Sequence, residues 1–232
     1  KERDVAKTSG LSMTQQAYDQ LRSDILSGAL GADSKINIAE TATRTKLNLG
    51  AVREALSRLT SEGLVTSETN KGFRVSAITL EELEDLTRTR LMIECACLES
   101  AITHGDLQWE SGIVSAIFEL RRTPMLAGTP AKVNPAWSQM HGRFHAALVA
   151  GCNSPWLLRI RAMLYVQAER YRIATMPYDR AARNLDAEHQ ELADAAVGRD
   201  AARATAALRD HLLRTKQILI EADVAQRGSH DG

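Results

Sequence analysis

The sequence predicts a mainly α chain in two parts, an N-terminal winged helix-turn-helix followed by a C-terminal all-α six-helix bundle. Three observations lead there. Between Asn37 and Ser76 an amphipathic segment, a break, a second amphipathic segment, a glycine stop and a charged hairpin follow one another in order. From Thr79 onward apolar residues recur at helical spacing, with no strand-like alternation. Aromatics make up only 4% of a 232-residue chain that is 44% hydrophobic, so aliphatic side chains must pack a largely helical core.

In the first part, Ser12 to Leu30 places Ala17, Tyr18, Leu21, Ile25 and Leu26 at helical spacing and ends at Gly28 and Gly31. Ile38 to Lys46 is the next amphipathic segment. After Leu47, Asn48 supplies an N-cap oxygen, and Val52, Leu56 and Leu59 then repeat on one inward face, leaving Arg53 and Arg58 outside. A DNA major groove admits one helix, whose N-terminal residues reach the base edges, so Arg53 is placed for a guanine or a phosphate. Gly63-Leu64-Val65 ends this helix and starts a strand, and Asn70-Lys71-Gly72 supplies turn chemistry, with Gly72 free to take positive φ. Lys71 and Arg74 carry charge toward a neighbouring stretch of phosphate backbone. A helical hairpin with a solvated appendix would not explain cap, helix, glycine stop and charged wing together. The net charge of the whole chain is zero, but residues 35–76 hold seven Lys/Arg against four Glu, a local +3. One such module binds weakly, so a homodimer on a pseudo-palindrome of double-stranded DNA is expected.

These residues resemble a known family. Val52-Arg53-Glu54-Ala55-Leu56, Arg58-Leu59, Glu62-Gly63-Leu64-Val65 and the Lys71-Gly72-Phe73-Arg74-Val75 wing are similar to the DNA-binding domain of the GntR family of bacterial transcription regulators, and Ser12–Leu30 matches that family's first helix. The resemblance implies operator binding, more often as a repressor. The family places Ser-Arg-Thr-Pro before the Val-Arg-Glu-Ala-Leu run and contacts DNA with that arginine, whereas this chain has Asn48-Leu49-Gly50-Ala51. Arg44, Arg53 and the wing are then expected to carry more of the contact, with Asn48, Arg58, Lys71, Gly72 and Arg74 completing the candidate set.

In the second part, helices are expected near 79–104, 108–122, 131–151, 155–175, 179–197 and 200–222, separated by Gly and Pro breaks. Pro155 behind Ser154 fits a first-turn proline. His141 and His145 are four apart and share a face. His189 lies ten residues before Arg199 and His211 twelve after it, so in an antiparallel hairpin rising ~1.5 Å per residue both imidazoles reach nearly the same height. Four ligands from three helices can thus converge, and imidazole nitrogen suits a divalent metal, Zn²⁺ first and Ni²⁺ as the alternative. A single histidine is more often a satisfied core or surface residue; four in register are not. His104, beside Gly105, reads as a helix-terminus residue.

This spacing is similar to the FCD ligand-binding domain that follows the GntR reader, over most of residues 79–222. The resemblance implies a divalent metal held by an Asp-x-x-x-His pair and two later histidines. His145, His189 and His211 match the histidines, and His141 stands where the aspartate would be. The family's Arg-x-x-x-Glu is present as Arg90 and Glu94, with Arg90 expected to meet an acidic effector. Six helices rather than seven point to the smaller VanR-like branch, and Phe144–Cys152 with His189–Leu213 is most similar to the carbon-starvation-induced regulators of glutarate and γ-aminobutyrate catabolism. Four neutral imidazoles leave a bound ion at +2, where an aspartate would reduce it, so the pocket should favour anions. A small carboxylate effector such as glutarate could take one end at the metal and the other at Arg90, with Arg170 or Arg172 as further partners or else as solvated surface charge.

The expected organisation is a disordered tail over 1–11, the winged helix-turn-helix over 12–77, the FCD effector-binding and dimerisation domain over 78–223 and a second tail over 224–232. Cys95, Cys97 and Cys152 are odd in number and apolar in setting, and Cys95 and Cys97 point apart on a helix, so buried thiols in a reducing compartment are expected. No apolar run of membrane-spanning length and no signal-peptide core occurs, which predicts a cytoplasmic protein without a membrane partner. A metal-dependent hydrolase with an accessory DNA module is the competing class. It lacks the His-Glu-x-x-His arrangement and offers only Glu188 as a nearby base, so no enzyme activity is expected. An acyl-CoA-responsive regulator would not need clustered histidines.

Overall fold

Side-chain caps open most of the helices. In the computed structural model, which describes residues 11–68, 72–128, 132–175 and 183–228, Ser12 accepts from the amide of Gln15 and starts α1 (Met13–Leu26). Asn37 accepts from Ala39 and Glu40 at the head of α2 (Ile38–Thr45), and Asn48 from Ala51 at the head of α3 (Leu49–Ser61). Each cap satisfies an amide that the helix leaves without a partner. Between α2 and α3 the chain turns at Lys46, whose φ of 58° is left-handed without a glycine. The strands β2 (Val65–Glu68) and β3 (Gly72–Val75) form the wing, with Val65 opposite Val75 and Glu68 opposite Gly72. A third strand that periodicity did not announce, β1 (Lys35–Ile36), pairs antiparallel with β3 to give the order β1-β3-β2. Leu21, Val52, Leu56, Leu59 and Leu64 are fully buried beneath it.

The chain divides into two compact units at Ile78/Thr79. The second is helical: α4 (Leu80–His104), α5 (Leu107–Arg121), α6 (Pro135–Leu148), α7 (Pro155–Thr175), α8 (Leu185–Val197) and α9 (Ala201–Gly228). The core joins Leu98, Ile113, Leu120, Phe144, Leu148, Leu192 and Leu208 from five of these helices. Three places depart from the expectation. The stretch read as a break before α6 holds a two-residue hairpin, β4 (Leu126–Ala127) with β5 (Lys132–Val133), too short for alternation to register. Accordingly α6 starts at Pro135 behind the Asn134 cap, not near 131. Asn184 caps α8, which begins at Leu185; the expected start near 179 lies outside the described residues. The last helix continues to Gly228, past the boundary expected at 223, and the remaining tail residues, 1–10 and 229–232, also lie outside the description. All three cysteines are buried thiols, and burial pushes Cys97 up to about 12.

Two features fix the bundle around α6 and the α8–α9 turn. Gly151, after α6, must be glycine because an added Cβ would lie 2.8 Å from the Cα of Gly105, at the end of α4. At the α8–α9 turn Arg199 has φ 56°, and its guanidinium holds the carbonyls of Ile102 and Gly105 and the carboxylate of Glu110. A left-handed non-glycine residue costs of order 1 kcal/mol, which these hydrogen bonds offset.

Candidate functional site

The two histidines of α6 stand one turn apart, and the α8–α9 hairpin brings one more from each arm to the same level. His141, His145, His189 and His211 are all buried, and one ring nitrogen from each can be chosen so that all four lie within 4.8 Å of one another. Ring centroids are 4.5 Å apart for His141–His145, 5.0 Å for His189–His211 and 5.1 Å for both His141–His189 and His145–His211. The Nε2 atoms of His141 and His145 are 3.1 Å apart, and Nε2 of His189 is buried with no hydrogen-bond partner. Nδ1 of His211 is engaged by Glu188 at 2.9 Å, which leaves its Nε2 for the cluster. Burial, reinforced by mutual repulsion, holds His141 and His145 well below the usual imidazole range; burial lowers His189 to about 2 and, against the pull of Glu188, lowers His211 as well. The four rings are therefore neutral. A buried nitrogen without a partner is costly, and a cation among the rings would satisfy it. The residues fit a divalent metal with an all-nitrogen ligand set.

Around the rings lies a charged layer that the spacing of the histidines did not disclose. Glu188 accepts from Arg183 and from His211; burial works to raise its pKa, yet these bonds hold it at about 2. Arg183 also donates to the carbonyl of His211 and to Thr215. On the other side Glu94, only 2% exposed, joins two guanidinium groups: Arg90 at 3.0 Å, one turn away on α4, and Arg161 at 2.7 Å, from α7. Arg161 also donates to the carbonyl of His145. Tyr165 lies 5.4 Å from each of these guanidinium groups, and its hydroxyl is 3.4 Å from Nδ1 of His141. Gly142 makes room for that hydroxyl, which an added Cβ would meet at 3.3 Å.

Of the two further arginines on α7, Arg172 stacks over Trp137, which in turn stacks on His141, and it bonds Glu169 and Ser138. Arg170 donates to Gln167 and lies over the ring of Tyr171, whose hydroxyl donates to Glu82. Only Arg172 comes near the imidazoles. Both are buried, which removes the alternative of solvated surface charge. Beside Arg90 a cavity of about 20 Å³ is lined by Leu83, Thr87, Tyr171, Leu212 and Lys216, room for a water and no more.

In the N-terminal unit the candidate DNA contacts divide into engaged and free. Arg44 pairs with Asp24 at 2.7 Å, Arg74 with Asp33 at 3.1 Å, and Arg58 lies 4.1 Å from the centre of the Tyr18 ring while donating to Gln15. Arg53 is exposed on the outer face of α3 and forms no ion pair with any described residue. Asn48 spends its carbonyl oxygen on the cap, at 2.8 Å. Gly72 has the left-handed φ, 86°, that its turn position required, while Lys71 lies outside the described residues. Leu49, at the first position of α3, is 52% exposed.

Comparison with known proteins agrees with both halves. Residues 13–75 match the model of bacterial regulatory proteins of the gntR family, and residues 85–214 match the FCD domain. The chain is 38% identical over 205 residues to the HTH-type transcriptional regulator BphR of Paraburkholderia xenovorans, covering 87% of this chain and 82% of that one. It is 34% identical over 209 residues to the HTH-type transcriptional repressor GlaR of Escherichia coli, covering 88% and 94%. Among solved structures, McbR/YncC of E. coli has a TM-score of 0.73 at 18% identity, covering 92% of this chain and 99% of that one. A GntR regulator from Rhodococcus sp. RHA1 has 0.72 at 20%, covering 91% and 99%. These two share the fold.

Proposed function

Because this chain belongs to the GntR family, with an FCD domain behind its reader, and is a DNA-binding transcriptional regulator and not an enzyme, we propose that it is a homodimeric repressor released from its operator by a small dicarboxylic acid. The acid binds beside a divalent ion, zinc first, held by His141, His145, His189 and His211. The observation that carries this reading is the buried Nε2 of His189, unpartnered at the centre of four neutral rings, next to a buried layer in which Glu94 meets two arginines. That layer holds one positive charge more than Glu94 neutralises. With +2 on an ion bound by imidazoles alone, the site calls for an anion.

A carboxylate at the ion and a second one at Arg90 span the site, with Arg161 and Arg172 in support. The space beside Arg90 is small, so an acid of four to six carbons meeting Arg90 there is expected to shift the side chains or helices around it. That gives the effector different affinities for two arrangements of the bundle, the condition for any influence on DNA. The wing ends at Val75 and α4, which carries Arg90 and Glu94, begins at Leu80, so the covalent route from sensor to reader is short. The name of GlaR, a transcriptional repressor, supports the repressing sign; glutarate is the first acid to try. No helix among the described residues is long and apolar enough to cross a membrane, in keeping with action in the cytoplasm.

Calorimetry on zinc-loaded protein with succinate, glutarate and adipate tests the reading. Binding of at least one, lost in Arg90→Ala and weakened by chelation, is expected, together with release of operator DNA in a gel shift. Heat of binding with none of the three would sink the effector assignment.

A further inference from the structure

α3 presents one outer face to anything that approaches it. Leu49, Gly50, Arg53, Glu54, Ser57 and Arg58 are exposed, while Ala51, Val52, Ala55 and Leu56 are buried against the unit's own core. Leu49 and Arg53 stand four residues apart on one side, about one turn, or ~6 Å. Gly50 between them adds no side chain. At the first position of α3, Leu49 leaves about half of its apolar side chain uncovered by the unit, on the same side as Arg53. In a major groove thymine is the base that displays a methyl group, an apolar contact such a side chain can take.

We propose that Leu49 is a specificity residue that packs on the C5-methyl of one thymine in each operator half-site. Arg53, one turn further along, contacts a guanine or phosphate within about two base pairs, since base pairs rise by ~3.4 Å. Arg53, which forms no ion pair with any described residue, gives this face a polar reading group beside the apolar one. This inference rests on α3 entering the groove, as the regulator reading requires.

Iterative selection of random duplexes with the full zinc-loaded chain yields the operator. Each thymine of the enriched half-site is then replaced by deoxyuridine, which removes only the methyl, and affinities are measured at fixed salt. One position per half-site is expected to lose roughly fourfold with the wild type, the worth of one buried methyl, and nothing with Leu49→Ala. Leu49→Arg is expected to shift that position from thymine toward guanine on reselection. Equal affinity for thymine and deoxyuridine at every position, or discrimination that survives Leu49→Ala, overturns the role of Leu49 and leaves operator binding intact. Failure to enrich any duplex overturns operator reading itself, and this proposal with it.

Discussion

The imidazole cluster of the second unit and the outer face of α3 in the first solve opposite problems. In the cluster the four imidazoles are buried and packed against one another before any ligand arrives; on α3 Leu49 and Arg53, the proposed reading groups, stand exposed. The contrast follows from the partner. A small ion is gripped by few atoms, so its ligands must be preorganised, and each ring is set by packing or by a bond to its outer nitrogen. A duplex is long and brings many phosphates, so side chains on α3 can remain free until contact. Buried charge is where the molecule is vulnerable; exposed charge is where it is specific.

Acid should break this contrast first. All six histidines lie at position 104 or beyond, so the N-terminal unit has none. The four clustered rings titrate below their unfolded value of about 6.5, so between those values the unfolded chain binds more protons and stability rises with pH. It is fully present above pH ~6.5 and falls on acidification, by up to about 1.4 kcal/mol per pH unit for each ring. Thermal melts of metal-free protein at pH 7.5, 6.0 and 5.0 should show a steep loss that zinc delays. A flat profile would mean that the rings are not held neutral.

Arg161→Ala comes next. Removing one partner of a buried ion pair costs about 3–5 kcal/mol, measured by urea denaturation, and it should also weaken dicarboxylate binding. Arg53→Ala should weaken operator binding by about 1–3 kcal/mol and lower the salt slope if it meets a phosphate, whereas Arg58→Ala should leave the slope nearly unchanged. Glu188→Gln keeps the shape at His211 and removes the charge behind its Nδ1. Chelator competition should show zinc affinity reduced about tenfold or more, with little change in fold. The smallest effect is the structural side of Arg58→Ala: loss of its contact with Tyr18 should cost roughly 0.5–1 kcal/mol of stability.

Much of this was legible before any coordinates, and the reason differs by region. The cap at Asn48, the inward run of Val52, Leu56 and Leu59 and the left-handed Gly72 are local, and local chemistry is written in short spacings. The histidines are distant in sequence but share two simple geometries, one helical turn and one hairpin of known rise. Arg161, Tyr165 and Arg183 offered no such signal. Arg161 lies in a helix with Arg159, Arg170 and Arg172, and only the packing of α7 against α4 and α6 separates the arginine that meets Glu94 from the others. Glu188, which the sequence offered only as a base for a hydrolase, in fact supports His211, because the length of the α8–α9 arms brings the carboxylate behind that ring. The departure of Leu49 from its family's arginine was visible at once; that it stands exposed beside a free Arg53 was not.

The α8–α9 hairpin has a last consequence, for how this chain can change over generations. His189 and His211 face each other because the residues between them are fixed in number and pinned at Arg199. One codon inserted or lost in either arm between them would swing a ring about 100° around its helix. Lineages descended from this protein can lengthen or shorten the chain elsewhere, but between these two histidines they are held to substitution alone.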